Sequence, residues 1–209
     1  MTLRLTIARA MVLFGLVTAA GLAAVVFTGI YALSDLKVGG PLYDQIKLGN
    51  DLVADILPPP EYVIESYLEA TLALNNPAEL QAHRSRLAQL RKDYDERRDY
   101  WTKSGLEPAL KARLIQDSHR EVQRFWTAVD DSFLPALARG DKDAAAKAYA
   151  EITAAYQAHR AIIDDIVKKT NDDNAAIESG ARQRVASFTT ILWVISGLVF
   201  LLIGGGLAG

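Results

Sequence analysis

Two basic side chains stand among aromatic residues at helical spacing. Arg97 and Arg98 lie between Tyr94 and Trp101, and spacings of three and four residues put Tyr94, Arg97 and Trp101 on one helix face. A cation fixed between aromatic rings can bind a small anionic or polar ligand. A buried arginine otherwise needs a carboxylate partner within the protein.

His159 takes a similar position on a later helix face, between Tyr156 and Ile163, and a buried imidazole must also be hydrogen-bonded. Trp126 is a further aromatic candidate on a third face. The sequence leaves two interpretations open for these side chains, a ligand pocket and an internal polar network. Three acidic residues are the partners that a network would use: Glu61, Glu65 and Asp95.

Three consecutive prolines at residues 58–60 form the most distinctive stretch of the chain. They lack backbone N–H donors and therefore kink or interrupt a helix, although Pro60 can begin the next one. Glu61, Glu65 and Glu69 follow at four-residue spacing, with Tyr62 and Tyr67 among them. They form either a solvated stripe beside a turn or an elbow that contacts a ligand. The second interpretation adds Glu61, Tyr62, Glu65 and Tyr67 to the candidate ligand-binding residues.

The sequence contains no catalytic or metal-binding motif. It has no cysteine, which excludes thiolate chemistry and thiolate metal sites. None of His83, His119 and His159 follows a glutamate by three residues, so the Glu-x-x-His pattern of di-iron bundles is missing. Glycine-rich phosphate loops and His-Glu-x-x-His motifs are missing as well. We therefore predict that the protein is not an enzyme and uses no metal or cofactor.

Charge is distributed unevenly along the 209 residues. Residues 10–34 and 185–209 contain no Asp, Glu, Lys or Arg, and each stretch exceeds the roughly 20 residues that cross a bilayer as a helix. All 25 acidic residues lie between them and outnumber the basic ones there, which disfavours nucleic-acid binding. We predict a cytoplasmic N-terminus at 1–9, transmembrane helices at 10–34 and 185–209, and an extracytoplasmic domain at 35–184.

The predicted domain is punctuated as a set of helices. Glycine and proline breaks delimit segments 41–74, 77–104, 107–139 and 141 onward, joined by short links. Each segment carries an apolar face at spacings of three and four residues. Four amphipathic helices of similar length predict an all-α fold, namely an antiparallel four-helix bundle anchored by two transmembrane helices.

The same spacing makes predictions about single residues. It places Ser132 on the inner face of the third segment and Asp173 on the inner face of the fourth. Only Gly180 interrupts the pattern between the fourth segment and the second apolar stretch. We therefore predict a nearly continuous helix from Asp141 into the membrane.

The ends of the chain bear on topology. Arg4 and Arg9 precede the first apolar stretch, so the positive-inside rule keeps the N-terminus in the cytoplasm and places the bundle outside it. The chain stops on an apolar, glycine-rich run at residues 204–209 with no basic residue. We expect it to be the front part of a longer receptor.

The proline-rich stretch resembles the extracytoplasmic sensory module of bacterial methyl-accepting chemotaxis proteins. The resemblance covers about residues 35–175 and is most specific in Ile-Leu-Pro-Pro-Pro-Glu-Tyr-Val-Ile-Glu-Ser-Tyr-Leu at 56–68. Shorter segments extend it: Gly-Pro-Leu-Tyr at 40–43, Tyr-Asp-Glu-Arg at 94–97 with Tyr-Trp at 100–101, Phe-Leu-Pro-Ala-Leu at 133–137 and His-Arg-Ala-Ile-Ile-Asp at 159–164.

The resemblance implies a homodimeric four-helix sensor in the bacterial inner membrane, with its bundle in the periplasm. Its ligand would be a small molecule or a periplasmic binding protein. The signal would pass through the fourth helix and the second span to a HAMP linker and a methylated coiled coil that controls a histidine kinase through an adaptor. The same sequence also fits the input domain of a sensor histidine kinase or diguanylate cyclase, and a structural membrane bundle without a ligand.

Overall fold

The computed structural model describes residues 7–37, 39–56 and 63–208. Within these residues every regular element is helical and no strand occurs, which confirms the all-α prediction. The chain divides into two compact units. We call Met1–Ile46 with Ala175–Gly209 the terminal unit, and Lys47–Asn174 the central unit.

The described residues form eight α-helices: α1 Ile7–Leu36, α2 Pro41–Ile56, α3 Ile64–Asn75, α4 Leu80–Lys103, α5 Pro108–Ala112, α6 His119–Thr127, α7 Leu134–Ala138 and α8 Lys142–Ala208. A 3₁₀ turn, Pro77–Glu79, precedes α4. Two π-helical turns, Arg113–Ser118 and Ala128–Phe133, join α5 to α6 and α6 to α7. The helix ends match the breaks predicted from glycine and proline to within a few residues.

The terminal unit brings the two charge-free stretches together. A Cβ atom at Gly21 would lie 2.5 Å from Val199 Cγ2, so a glycine is needed where α1 approaches α8 at this point. The rings of Tyr31 and Phe188 meet edge to face at 5.9 Å. Residues Ala10–Ser34 of α1 have a mean hydropathy of 2.4, and α8 contains a segment whose mean hydropathy is 2.2. Both helices are long and apolar enough to cross a membrane.

Caps and turns set the limits of the third helical segment in the central unit. Glu107 accepts hydrogen bonds from the backbone N–H groups of Ala109 and Leu110, with Pro108 at the first helical position. These bonds lower the pKa of the Glu107 carboxyl. At the other end Gly140 adopts a φ of 69°, a left-handed conformation that favours glycine and closes the helix before Lys142.

The prediction that Ser132 faces inward, within the π-helical turn Ala128–Phe133, is wrong. Ser132 is exposed, whereas Phe133 is fully buried. Val129, Phe133 and Ala136 are buried at spacings of four and then three residues, whereas the prediction took three and then four from Val129. The turn ends two residues before Pro135, which lacks the N–H that an α-helix would need there.

The prediction that Asp173 faces inward is also wrong. Asp173 is exposed and pairs with Lys169 at 2.9 Å, while the next residue, Asn174, is buried and donates to Asn50 Oδ1 at 3.0 Å. An amide can be buried at lower cost than a carboxylate when it has a hydrogen-bond partner. The predicted helical continuity is confirmed, because α8 runs without a break from Lys142 to Ala208.

Two hydrophobic clusters fill the central unit. The first contains the following large side chains: Leu87, Leu90, Tyr94, Val122, Phe125, Trp126, Val129, Phe133, Leu134, Ile152 and Tyr156. The second contains the following: Leu52, Ile56, Trp101, Leu106, Leu110, Leu114, Ile163 and Ile166. Polar side chains lie between the two clusters and at their margins, and these include most of the candidate site residues.

Candidate functional site

Asp55 on α2 joins two of the predicted site residues on α4. The indole Nε1 of Trp101, a fully buried side chain, donates to Asp55 Oδ2 at 3.1 Å. Arg97 forms an ion pair with the same carboxylate oxygen, and its guanidinium carbon lies 4.7 Å from the ring centroid of Tyr100. We call these three residues, Asp55, Arg97 and Trp101, the Asp55 cluster. They hold α4 to α2 through one shared acceptor.

The partner of Arg97 therefore differs from the three acidic residues favoured by the sequence. Asp55 takes that role. Glu65 instead pairs with Arg86, and both of these side chains are partly exposed. Glu61 and Tyr62 lie outside the described residues, so the predicted elbow is described only from Val63 onward.

Ser118 and His159 form a buried polar pair between the two hydrophobic clusters. Ser118 Oγ and His159 Nδ1 are 2.9 Å apart, and the two residues are 1% and 0% exposed. Along the third helical segment, residues of the second cluster precede Ser118 and residues of the first cluster follow it. Along α8 the order is reversed around His159. A serine and a histidine at this distance would suit nucleophilic catalysis. Their burial instead favours a structural role, in which the hydrogen bond fixes the register of α8.

Tyr94 contacts a second histidine close to this pair. Its hydroxyl lies 3.1 Å from His119 Nδ1, and the two rings stack with centroids 5.9 Å apart. Burial lowers the pKa of the His119 imidazole, and the Arg98 guanidinium lowers it further. The Nε atom of Arg98 is buried without a hydrogen-bond partner in the described part of the chain. This arrangement favours the neutral form of the His119 imidazole.

Tyr67 belongs to a stack of three tyrosines. Its ring lies parallel to that of Tyr156 at 4.5 Å and close to that of Tyr149 at 5.7 Å. The Tyr67 hydroxyl is 3.1 Å from Thr153 Oγ1, and the Tyr149 hydroxyl is 2.6 Å from Thr71 Oγ1. These bonds satisfy the hydroxyl groups and tie α3 to α8.

Trp126 belongs to the first hydrophobic cluster, which also contains Tyr94. Its nearest cation is Arg91, whose guanidinium carbon is 5.8 Å from the ring centroid. Arg91 in turn pairs with Asp130. The predicted ligand-binding residues therefore do not form one pocket. The predicted residues that the structure describes fall into separate groups around Asp55, His119, Tyr156 and Trp126. His159 lies between the two hydrophobic clusters, and Glu65 lies on the surface.

Among the described residues no three histidine or acidic side chains come close enough to hold a metal ion. No family model, curated protein or solved structure matches this chain. Its function must therefore be inferred from the geometry of its own residues.

The sequence did not single out Asp55, although it contained a usable signal. Asp55 lies three residues after the buried Leu52 and one before the buried Ile56, so it falls at the edge of the inner face of α2. The bond between Ser118 and His159 likewise depends on the register between two segments that are distant in sequence. Spacing within one helix carries no information on that register.

Proposed function

We propose that the chain is the input module of a bacterial transmembrane chemoreceptor. The central unit is an antiparallel four-helix bundle outside the cytoplasmic membrane, and two transmembrane helices anchor it. The module senses a small molecule or a partner protein and passes the signal along α8 to a cytoplasmic signalling module. The observation that carries this proposal is the continuity of α8 from Lys142 to Ala208.

One continuous helix of 67 residues thus contains both core residues and the charge-free end of the chain. Near one end, α8 contributes Ile152, Ile163 and Ile166 to the hydrophobic clusters and His159 to a buried hydrogen bond. A small shift or rotation imposed on these contacts travels along an unbroken helix to its other end.

Discrete polar contacts give α8 a defined register that a ligand can change. The Ser118–His159 bond is buried, and Arg113 forms a more exposed ion pair with Asp165 at 2.9 Å. Both contacts join α8 to the π-helical turn Arg113–Ser118. Packed interfaces of this kind move between discrete arrangements rather than deforming continuously.

An exposed apolar stripe on α3 supports homodimer formation. Ile64, Leu68 and Leu72 recur every four residues and are 39%, 54% and 45% exposed. The four-residue interval puts these side chains on one face of the helix. Dimerisation through α3 covers this stripe with the same stripe of a second copy, as a two-fold axis requires.

The same proposal places the N-terminus in the cytoplasm because Arg4 and Arg9 precede the charge-free stretch of α1.

A ligand screen on the full chain in lipid nanodiscs tests the sensing function. A compound at 100 times its Kd should stabilise the protein by about 2.7 kcal/mol, which thermal unfolding detects. The chain is then fused after Gly209 to a HAMP linker with a kinase-controlling module. We expect at least one stabilising compound to change kinase activity in the fusion. Failure of the whole library to stabilise the chain contradicts direct sensing of a small molecule. Stabilisation without any change in kinase activity contradicts the signalling function.

A further inference from the structure

A groove of about 390 Å³ lies on the central unit between α4 and residues 126–134. Its volume falls within the range of small-molecule sites. Its main lining residues are the following: Arg84, Leu87, Arg91, Trp126, Asp130 and Leu134. No member of the Asp55 cluster and neither residue of the Ser118–His159 pair lines this groove, which we call the Trp126 groove.

The charges in the Trp126 groove favour an anion. Arg84 and Arg91 are two turns apart on α4 and both line it, whereas Asp130 is the one acidic lining residue. Arg91 is held by its ion pair with Asp130. Arg84 is exposed and forms no ion pair within the described ranges. The groove therefore has an excess positive charge in a domain whose acidic residues outnumber its basic ones.

Trp126 forms a largely buried wall of the groove. It is 4% exposed, and its Nε1 is buried without a hydrogen-bond partner among the described residues. Leu87 and Leu134 are both buried and supply the apolar floor.

We propose that the Trp126 groove binds a small monocarboxylate with a flat apolar body. Arg84 forms the main ion pair with the carboxylate, because a guanidinium binds carboxylates through two parallel hydrogen bonds. Arg91 adds positive charge from its fixed position above the indole ring. The apolar body lies against Trp126, Leu87 and Leu134. This site rests on the proposed sensing function, since it would be the place where the module takes its ligand.

Benzoate is a suitable probe, and benzamide is its uncharged counterpart of the same shape. Calorimetry on the full chain in nanodiscs should show saturable benzoate binding and at least about tenfold weaker benzamide binding. Arg84→Gln should weaken benzoate binding about tenfold, because one guanidinium–carboxylate pair is lost. Arg139→Gln, a change at an exposed arginine outside the groove, should leave benzoate binding unchanged. Arg84 is exposed, so its replacement does not threaten folding.

Fluorine NMR of chain labelled with 5-fluorotryptophan locates the bound probe. The Trp126 resonance, identified by its loss in Trp126→Phe, should shift with benzoate while those of Trp101 and Trp193 stay in place. The proposed site is overturned if benzoate does not bind, if benzamide binds as tightly as benzoate, or if Arg84→Gln leaves benzoate binding unchanged.

The outcomes for the site and for the sensing function are distinguishable. If benzoate does not bind while another compound changes kinase activity in the fusion, the Trp126 groove is wrong and the sensing function stands. If benzoate binds at Trp126 but no compound changes kinase activity, the site stands and the sensing function fails.

Discussion

Asp55 is the side chain on which two of the predicted site residues converge. Its carboxylate accepts from the buried indole of Trp101 and pairs with the half-exposed guanidinium of Arg97. The bond to Trp101 matters more for stability, because an indole N–H that loses its only acceptor inside a core cannot turn to water. The ion pair is partly solvated and contributes less.

Two substitutions at Asp55 separate these effects. Asp55→Ala should lower the free energy of unfolding by about 1–3 kcal/mol, because the Trp101 N–H loses its acceptor. Asp55→Asn keeps an oxygen at this position and should cost less. Chemical unfolding of the full chain in detergent, followed by tryptophan fluorescence, measures both. Equal losses in the two variants would show that the Trp101 bond does not dominate.

His119 makes the stability of the protein depend on pH. Burial, together with the nearby Arg98, lowers its pKa below the ordinary 6.5, against an opposing effect of Asp95. As the pH falls through about 6.5, the unfolded chain takes up a proton before the folded one does. The unfolded state then binds more protons, so stability is lost on the acid side of this pH.

His119→Gln removes this titration while keeping a side chain able to hydrogen-bond to Tyr94. We expect the Tm of the parent chain to fall more than that of the variant between about pH 7.5 and pH 5.5. Thermal unfolding at a series of pH values gives the comparison. A parallel fall in both proteins would exclude His119 as a source of the pH dependence.

At the scale of elements, the sequence predicted the helix limits well because glycine, proline and capping residues act locally. Gly140 and Glu107 are found where the predicted breaks require them. The inner faces were predicted less well, because spacings of three and four residues alternate irregularly and a fixed order can miss the inner face by one position. Ser132 was assigned inward where Phe133 is buried, and Asp173 was assigned inward where Asn174 is buried.

The site was less predictable than the fold. The aromatic and basic residues were recognised by type, but their partners lie on other helices, as with Arg97 and Asp55. Pairing across helices depends on their register and rotation, which spacing within one helix does not specify. The groove beside Trp126 depends in the same way on Arg84 and Arg91, which look like ordinary surface residues in the sequence.

The shifted inner face of the third segment can be tested with two neighbouring alanine substitutions. Phe133→Ala should cost about 3–5 kcal/mol of unfolding free energy, because it empties a fully buried site. Ser132→Ala should change stability by no more than about 0.5 kcal/mol, because Ser132 is exposed. Chemical unfolding of both variants is the measurement. A larger loss at Ser132 than at Phe133 would restore the phase predicted from the sequence.

At the scale of the whole molecule, the chain contains no cysteine, so one introduced thiol reports on dimerisation without interference. Leu68→Cys, in the middle of the exposed stripe on α3, should form a disulfide-linked dimer in membranes under mild oxidation. Gln157→Cys is the matched control, because residue 157 is exposed on α8 outside the stripe. Gel electrophoresis without reductant separates monomer from dimer. Equal cross-linking at both positions, or none at Leu68→Cys, counts against an α3 dimer interface.

The central claim is that α8 couples the bundle to the cytoplasmic module as one rigid helix. The most direct test inserts one, two, three or four alanines after Ser179 in the receptor fusion and measures kinase activity without any ligand. Each alanine continues the helix and rotates the remainder of α8 by about 100°. Kinase activity should oscillate with the number of inserted residues and return towards the parent value near four. The same activity at every insertion length would contradict transmission through α8.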